Sequence, residues 1–181
     1  MNMGNLNGTR RLVFLSLFAA FGLVMFVFES FLPVLPWFRP GLGNAATLLA
    51  LMLLGFGDSV KVTVLRVVLG ALILGRLFTP LFLFAFAGGL ASVLVMAAAA
   101  RFSGRLFSPV GISVLGAVAH NLVQLGVAYF FVNNAEMFIF IPIFVATGVV
   151  TGALVGVVSR LVYERLAPRF GAPPAWPGRI S

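Results

Sequence analysis

The chain has a single histidine, and it lies inside an apolar run. In "GAVAHNLVQLGVAYFF", residues 116–131, the polar side chains His120, Asn121 and Gln124 sit mid-segment among apolar neighbours. On a helix His120 and Gln124 are four apart and Asn121 and Gln124 three apart, so the three share a broad sector. Gly116 and Ala128 extend the His120–Gln124 row in both directions. A row of small and polar residues points at other helices or a cavity rather than at lipid. Two uses fit it: hydrogen bonds between helices, worth roughly 0.6–2 kcal/mol each, or the orientation of a bound ligand.

Arg66 is the second unusual residue, placed in the middle of another apolar segment. An arginine at that depth costs about 2.5–3.5 kcal/mol to insert and needs an anion, carbonyls or water. The chain has only four acids to meet it: Glu29, Asp58, Glu136 and Glu164. A Glu29–Arg66 pair is sterically reasonable, but it leaves Arg39 and Arg76 without partners at the same end. Excess positive charge around a pocket is what an anionic ligand requires. Arg66 is therefore the expected anion contact, with His120, Asn121 and Gln124 orienting the ligand. Arg39 and Arg76 would draw the anion in. Asn44 and Glu29 fall at compatible depth and complete the candidate set. The glycines around Gly41–Gly43 would let the linker act as a lid.

Enzymatic chemistry is hard to assemble from these residues. There is no cysteine and no "GxxxxGK[ST]" loop. The acids stand too far apart to form the carboxylate cluster that holds Mg²⁺ for diphosphate chemistry. No catalytic residue, metal or cofactor is expected.

These side chains need a scaffold, and composition indicates which. Hydrophobic residues make up 61% and charged residues 9% of the 181, against about 25% charged in soluble domains. Such a chain cannot cover a water-facing surface. The expected fold is an all-α integral membrane protein, with six transmembrane helices in one bundle. The segments are Leu12–Leu35, Asn44–Phe56, Val60–Gly75, Pro80–Ala100, Val110–Val132 and Phe138–Val162. The second and third are short, and they either tilt, thin the bilayer or form a hairpin that crosses it only in part. Residues 1–11 form a cytoplasmic segment, 12–165 the membrane domain and 166–181 a disordered, proline-rich tail. The first apolar run is too long for a signal peptide and reads as a retained helix.

The net charge of +8 would suggest nucleic acid in a soluble protein. Here the basic residues flank apolar segments, so they act as topology anchors and no nucleic-acid partner is expected. Arg10, Arg11, Lys61, Arg101, Arg105, Arg160, Arg165, Arg169 and Arg179 fall on one side, and Arg39 and Arg76 on the other. The positive-inside rule places the first group, with both termini, in the cytoplasm, as in a multi-pass protein of the cell (inner) membrane. Gly148, Gly152 and Gly156 form a small-residue stripe suited to packing inside the bundle or to docking a partner subunit.

The stretches "PGLGN", "LRVVLG", "AGGLAS" and "GAVAHNLVQ" resemble the Gx transporter family, widely labelled heptaprenyl diphosphate synthase component I. The resemblance covers about residues 12–163. Gly43 replaces an alanine of the family pattern, and Val123 stands where HNxGQ is favoured. The resemblance implies a six-helix protein similar to the substrate-binding S components of energy-coupling factor transporters. Such a subunit would take a small anionic or amphipathic solute from the outer face and work with a transmembrane scaffold subunit and ATPases. The resemblance carries over Arg66, His120, Asn121, Gln124 and Asn44 as pocket residues. The family label suggests another role, as a non-catalytic membrane subunit of a prenyl diphosphate synthase. A third possibility is a ligand-free scaffold.

Overall fold

The structure, a computed structural model, describes residues 8–31, 41–102 and 107–170. Among these there are six α-helices and no strand: α1 (Gly8–Glu29), α2 (Asn44–Leu53), α3 (Phe56–Ile73), α4 (Pro80–Phe102), α5 (Pro109–Val132) and α6 (Ile141–Leu166). Two 3-10 turns, Ala135–Phe140 and Ala167–Phe170, flank α6. Four helical stretches are long and apolar enough to cross a membrane: α1, α4, α5 and the run containing α6. The chain is therefore a multi-pass membrane protein.

Helix α2 organises the bundle. Its ten residues are apolar or small on every side except for Asn44 and Thr47, and all ten are buried. A helix that is apolar all round belongs in an interior, and α2 touches each of the other five helices. At about 1.5 Å per residue it spans only about half of a ~30 Å hydrocarbon core. Its first turn consequently lies at the depth of Arg66, well inside the bundle. The turn at Leu54–Gly55 leads directly into α3, with Gly55 at φ +94°, a conformation that favours glycine. Helix α3 therefore begins at Phe56, earlier than the expected Val60, because Gly57 and Asp58 are absorbed into its first turn.

Sequence position fixes the ends of α5. Ser108 caps it, its hydroxyl accepting from the Gly111 N–H at 3.2 Å, and Pro109 fills the first turn. Asn133 closes the helix in the left-handed conformation, φ 51°. Helices α5 and α6 then run antiparallel along the glycine stripe. A Cβ on Gly148, Gly152 or Gly156 would meet the Cα of Val118, Val114 or Val110 at 3.0, 2.7 and 2.6 Å respectively. The stripe is thus used inside the chain, and it is not a free docking face.

The helix starts and ends sort into two levels. At the level of the α1 start, buried Asp58 accepts from Arg11 Nε at 2.6 Å and Lys61 Nζ at 3.0 Å. This joins the beginnings of α1 and α3, so residues 8–11 belong to the first helix rather than to a leading segment. The stretch expected as a tail also contributes structure. Ala167 and Phe170 are buried, and the Phe170 ring lies 4.2 Å from that of Phe14. An apolar side chain four residues beyond α6 found cover on α1, which proline and glycine content could not foretell.

Candidate functional site

The polar side chains of the interior gather around the first turn of α2. Arg66 projects from α3 and is 2% exposed. Its Nη2 donates to Asn44 Oδ1 at 2.6 Å. That bond fixes the orientation of the Asn44 amide, since only the oxygen can accept. The Asn44 Nδ2 group therefore faces the other way, towards Gly41, where a Cβ would come within 2.9 Å of it. Neither Asn44 Nδ2 nor Arg66 Nε has a hydrogen-bond partner among the described residues. Each such buried donor costs about 1–3 kcal/mol, and an accepting group placed beside both would offset that cost.

Glycines make the approach possible. Any Cβ at Gly43 would overlap Arg66 Nη1, and one on Gly22 of α1 would press on the Arg66 Cδ at 3.0 Å. Gly41 takes φ +79°, which turns the chain into α2. On α4, the doublet Gly88–Gly89 thins the helix from both sides. Gly89 faces Thr63 and Arg66 of α3, and Gly88 faces His120 and Gln124 of α5. The two polar groups on α3 and α5 thereby draw in towards α4 from opposite sides.

His120 and Gln124 are hydrogen bonded to each other, Nε2 to Nε2 at 2.9 Å. An amide nitrogen only donates, so His120 Nε2 accepts and its proton is assigned to Nδ1. His120 also flanks Gly41, whose Cβ would lie 3.5 Å from His120 Cδ2. Gly41 thus stands between Asn44 and His120. Beneath Arg66, Thr63 and Thr47 share a hydrogen bond of 2.9 Å between α3 and α2.

Glu29 ends α1 and is 5% exposed. Its carboxylate accepts the Leu42 backbone N–H, next to the Gly43 that Arg66 Nη1 touches. The two opposite charges thus meet on consecutive residues of the short segment that leads into α2.

Five of the eight sequence-selected residues come together here: Glu29, Asn44, Arg66, His120 and Gln124. Asn121 does not join them. Its Nδ2 donates to the Phe144 carbonyl at 2.9 Å and to Thr147 Oγ1 at 3.4 Å, both on α6. Consecutive helical residues do not share a face, and the interface with α6 claims this one. Arg76 lies in the turn between α3 and α4, ten residues beyond Arg66 and outside the helix that carries it. Arg39 lies outside the described residues. Sequence reading missed Thr63. Thr63 stands three residues before Arg66, on the same helical face, and that spacing was the available signal.

A family model, heptaprenyl diphosphate synthase component I, matches residues 18–162. The chain belongs to this family. The matched region runs from α1 into α6 and contains every residue of the cluster. No curated protein and no solved structure matches the chain. The heptaprenyl diphosphate synthase component I family is thus represented here by an all-helical membrane chain whose polar residues converge on Arg66.

Proposed function

We propose that this chain is a membrane-embedded binding subunit, similar to the S components of energy-coupling factor transporters, that captures a small anionic or amphipathic solute. All six helices would lie in the membrane, with the Arg10–Arg11 end and both termini cytoplasmic and the Glu29 end outward. The observation that carries this reading is the pair of buried, unpartnered donors, Arg66 Nε and Asn44 Nδ2. A guanidinium and an amide held side by side suit a carboxylate or similar oxyanion. His120 and Gln124, across Gly41, would orient the rest of the ligand, and Arg76 would attract it from the outer side. Asn121 is left to hold α5 against α6. Release would require a partner membrane subunit and ATPases, since the chain carries no nucleotide-binding loop. The chain itself is not a catalyst.

The test is native mass spectrometry of protein extracted in mild detergent, comparing wild type with Arg66→Ala. A small anion retained by wild type and absent from a folded Arg66→Ala supports the reading. A ligand retained equally by both removes Arg66 from the site.

The family description favours a second reading, a non-catalytic membrane subunit of a heptaprenyl diphosphate synthase. On that reading a soluble, carboxylate-rich partner supplies the chemistry, and the same spectra would contain that partner instead of a small solute.

A further inference from the structure

The end of the bundle where α1 and α3 begin gathers more positive charge than the chain can match. Buried Asp58, in the first turn of α3, binds Arg11 Nε through one carboxylate oxygen at 2.6 Å and Lys61 Nζ through the other at 3.0 Å. Exposed Arg10 stands next to Arg11 on α1. Three cations thus stand against one carboxylate. The sequence holds four acidic side chains, and all four lie among the described residues. Glu164 is bonded to Arg160 at 2.8 Å on α6, and Glu29 and Glu136 belong to the opposite end of the bundle. No acidic side chain is left to neutralise Arg10, Arg11 and Lys61.

The two bonded cations keep donors to spare. Arg11 meets Asp58 through Nε, which leaves both Nη groups on a side chain that is 49% exposed. Lys61 spends one of its three N–H bonds on Asp58, and its side chain is 62% exposed. The buried carboxylate holds both side chains in place, so a ligand meets cations that are already ordered and loses less entropy on binding. A guanidinium and an ammonium set side by side suit a phosphate. Beside them the surface is apolar. Lys61, Leu65, Leu69 and Leu72 are spaced by four, four and three residues, which puts them on one face of α3, and all four are exposed. On α1, exposed Leu12 follows Arg11, and the helix is long and apolar enough to cross a membrane. The cations therefore stand where the apolar helix faces begin, at the level of lipid headgroups.

We infer that the start of the α1–α3 seam is a binding site for an anionic phospholipid, its phosphate on Arg11 and Lys61 and its acyl chains along Leu65, Leu69 and Leu72. Arg10 adds charge beside it. A lipid fits better than free phosphate, because the apolar stripe gives its chains a second contact. A headgroup with net negative charge fits better than a zwitterionic one, whose own amine cancels the phosphate. The bound lipid would tie α1 to α3 a second time, beside the Arg11–Asp58 bond. The site does not involve Arg66 or its neighbours.

The experiment is native mass spectrometry of the full chain in a neutral detergent. The chain is titrated with phosphatidylglycerol, with phosphatidylcholine of the same acyl chains and, separately, with inorganic phosphate. Wild type is expected to retain one phosphatidylglycerol in preference to phosphatidylcholine, and to gain unfolding temperature from the anionic lipid alone. Arg11→Gln and Lys61→Gln should each weaken that first lipid by about fivefold, the usual contribution of one basic residue at an anionic surface. Arg160→Gln, which removes a cation already paired with Glu164, should leave it unchanged. If Arg11→Gln fails to fold, Lys61→Gln still decides, because its bond to Asp58 stays within α3. Equal retention of the two lipids, or phosphatidylglycerol affinity unchanged in either folded variant, would overturn the site. An equal loss in Arg160→Gln would replace it with diffuse attraction to every basic residue at that end. Inorganic phosphate that displaces the lipid at equal concentration would overturn the choice of a lipid as ligand.

Discussion

Asn44 Oδ1 and Arg66 Nη2 lie 2.6 Å apart, although 22 residues separate them in sequence. The bond ties the first turn of α2 to the middle of α3, and Arg66 Nε and Asn44 Nδ2 have no partner among the described residues. A hydrogen bond to a charged group contributes about 1.5–3 kcal/mol, so it is a fixture of the fold and, on the proposed function, part of the anion contact. Asn44→Ala should lower stability by about that amount and weaken anion binding. Asn44→Asp should instead give Arg66 a full counter-ion, keep the fold and block anion binding. Thermal unfolding with parallel binding of benzoate checks both.

Gly43 is where a single methyl group does most harm. Its Cβ would overlap Arg66 Nη1, and the guanidinium is enclosed with little freedom to move. Gly43→Ala should cost about 1–3 kcal/mol through overpacking and displace Arg66 from Asn44. The measurement is unfolding temperature in detergent, with Gly57→Ala as control, since nothing lies within 4 Å of a Cβ there.

Asn121 and His120 are sequence neighbours that face different helices, α6 and α4 respectively, and substitution should separate them. Asn121→Ala loses its bonds to Phe144 and Thr147 on α6, and should cost about 0.6–1.7 kcal/mol, the range measured in membranes, without changing ligand affinity. His120→Ala should weaken ligand binding. Equal loss of affinity in both would return Asn121 to the site.

The α5–α6 seam should be intolerant of bulk. Gly152→Leu brings a Cβ within 2.7 Å of the Val114 backbone, and backbone cannot move aside as a side-chain tip can. The expected result is a loss of at least about 1–3 kcal/mol and aggregation on extraction, read by size-exclusion profile.

Arg11 should matter more than Lys61 to the buried Asp58. Its bond is shorter, 2.6 Å against 3.0 Å, and it alone joins two helices. Both cations are more than a third exposed, so solvent screens them and Arg11→Ala should cost no more than about 1 kcal/mol, less at high salt. Unfolding at low and high ionic strength gives the comparison.

Some of this protein could be read without its structure. Membrane residence, the six helical segments and an unusual arginine, Arg66, enclosed among apolar residues follow from local facts: too few charges to cover a water-facing surface, apolar runs of defined length, and the cost of an arginine among them. The helix ends at Ser108–Pro109 and Asn133 are equally local, because capping depends on adjacent residues. The tertiary structure decided whatever depends on which faces meet. It buried α2 on all sides, since ten apolar residues fit either a partial span or a core. It closed the Gly148–Gly152–Gly156 stripe on α5, where a stripe alone suits an internal neighbour or a partner equally. It turned Asn121 away to α6 while bringing Glu29 to within range of Arg66. Side-chain type and spacing set what each residue can bond to. Only packing, which selects one neighbour among several of similar chemistry, set what each one does bond to.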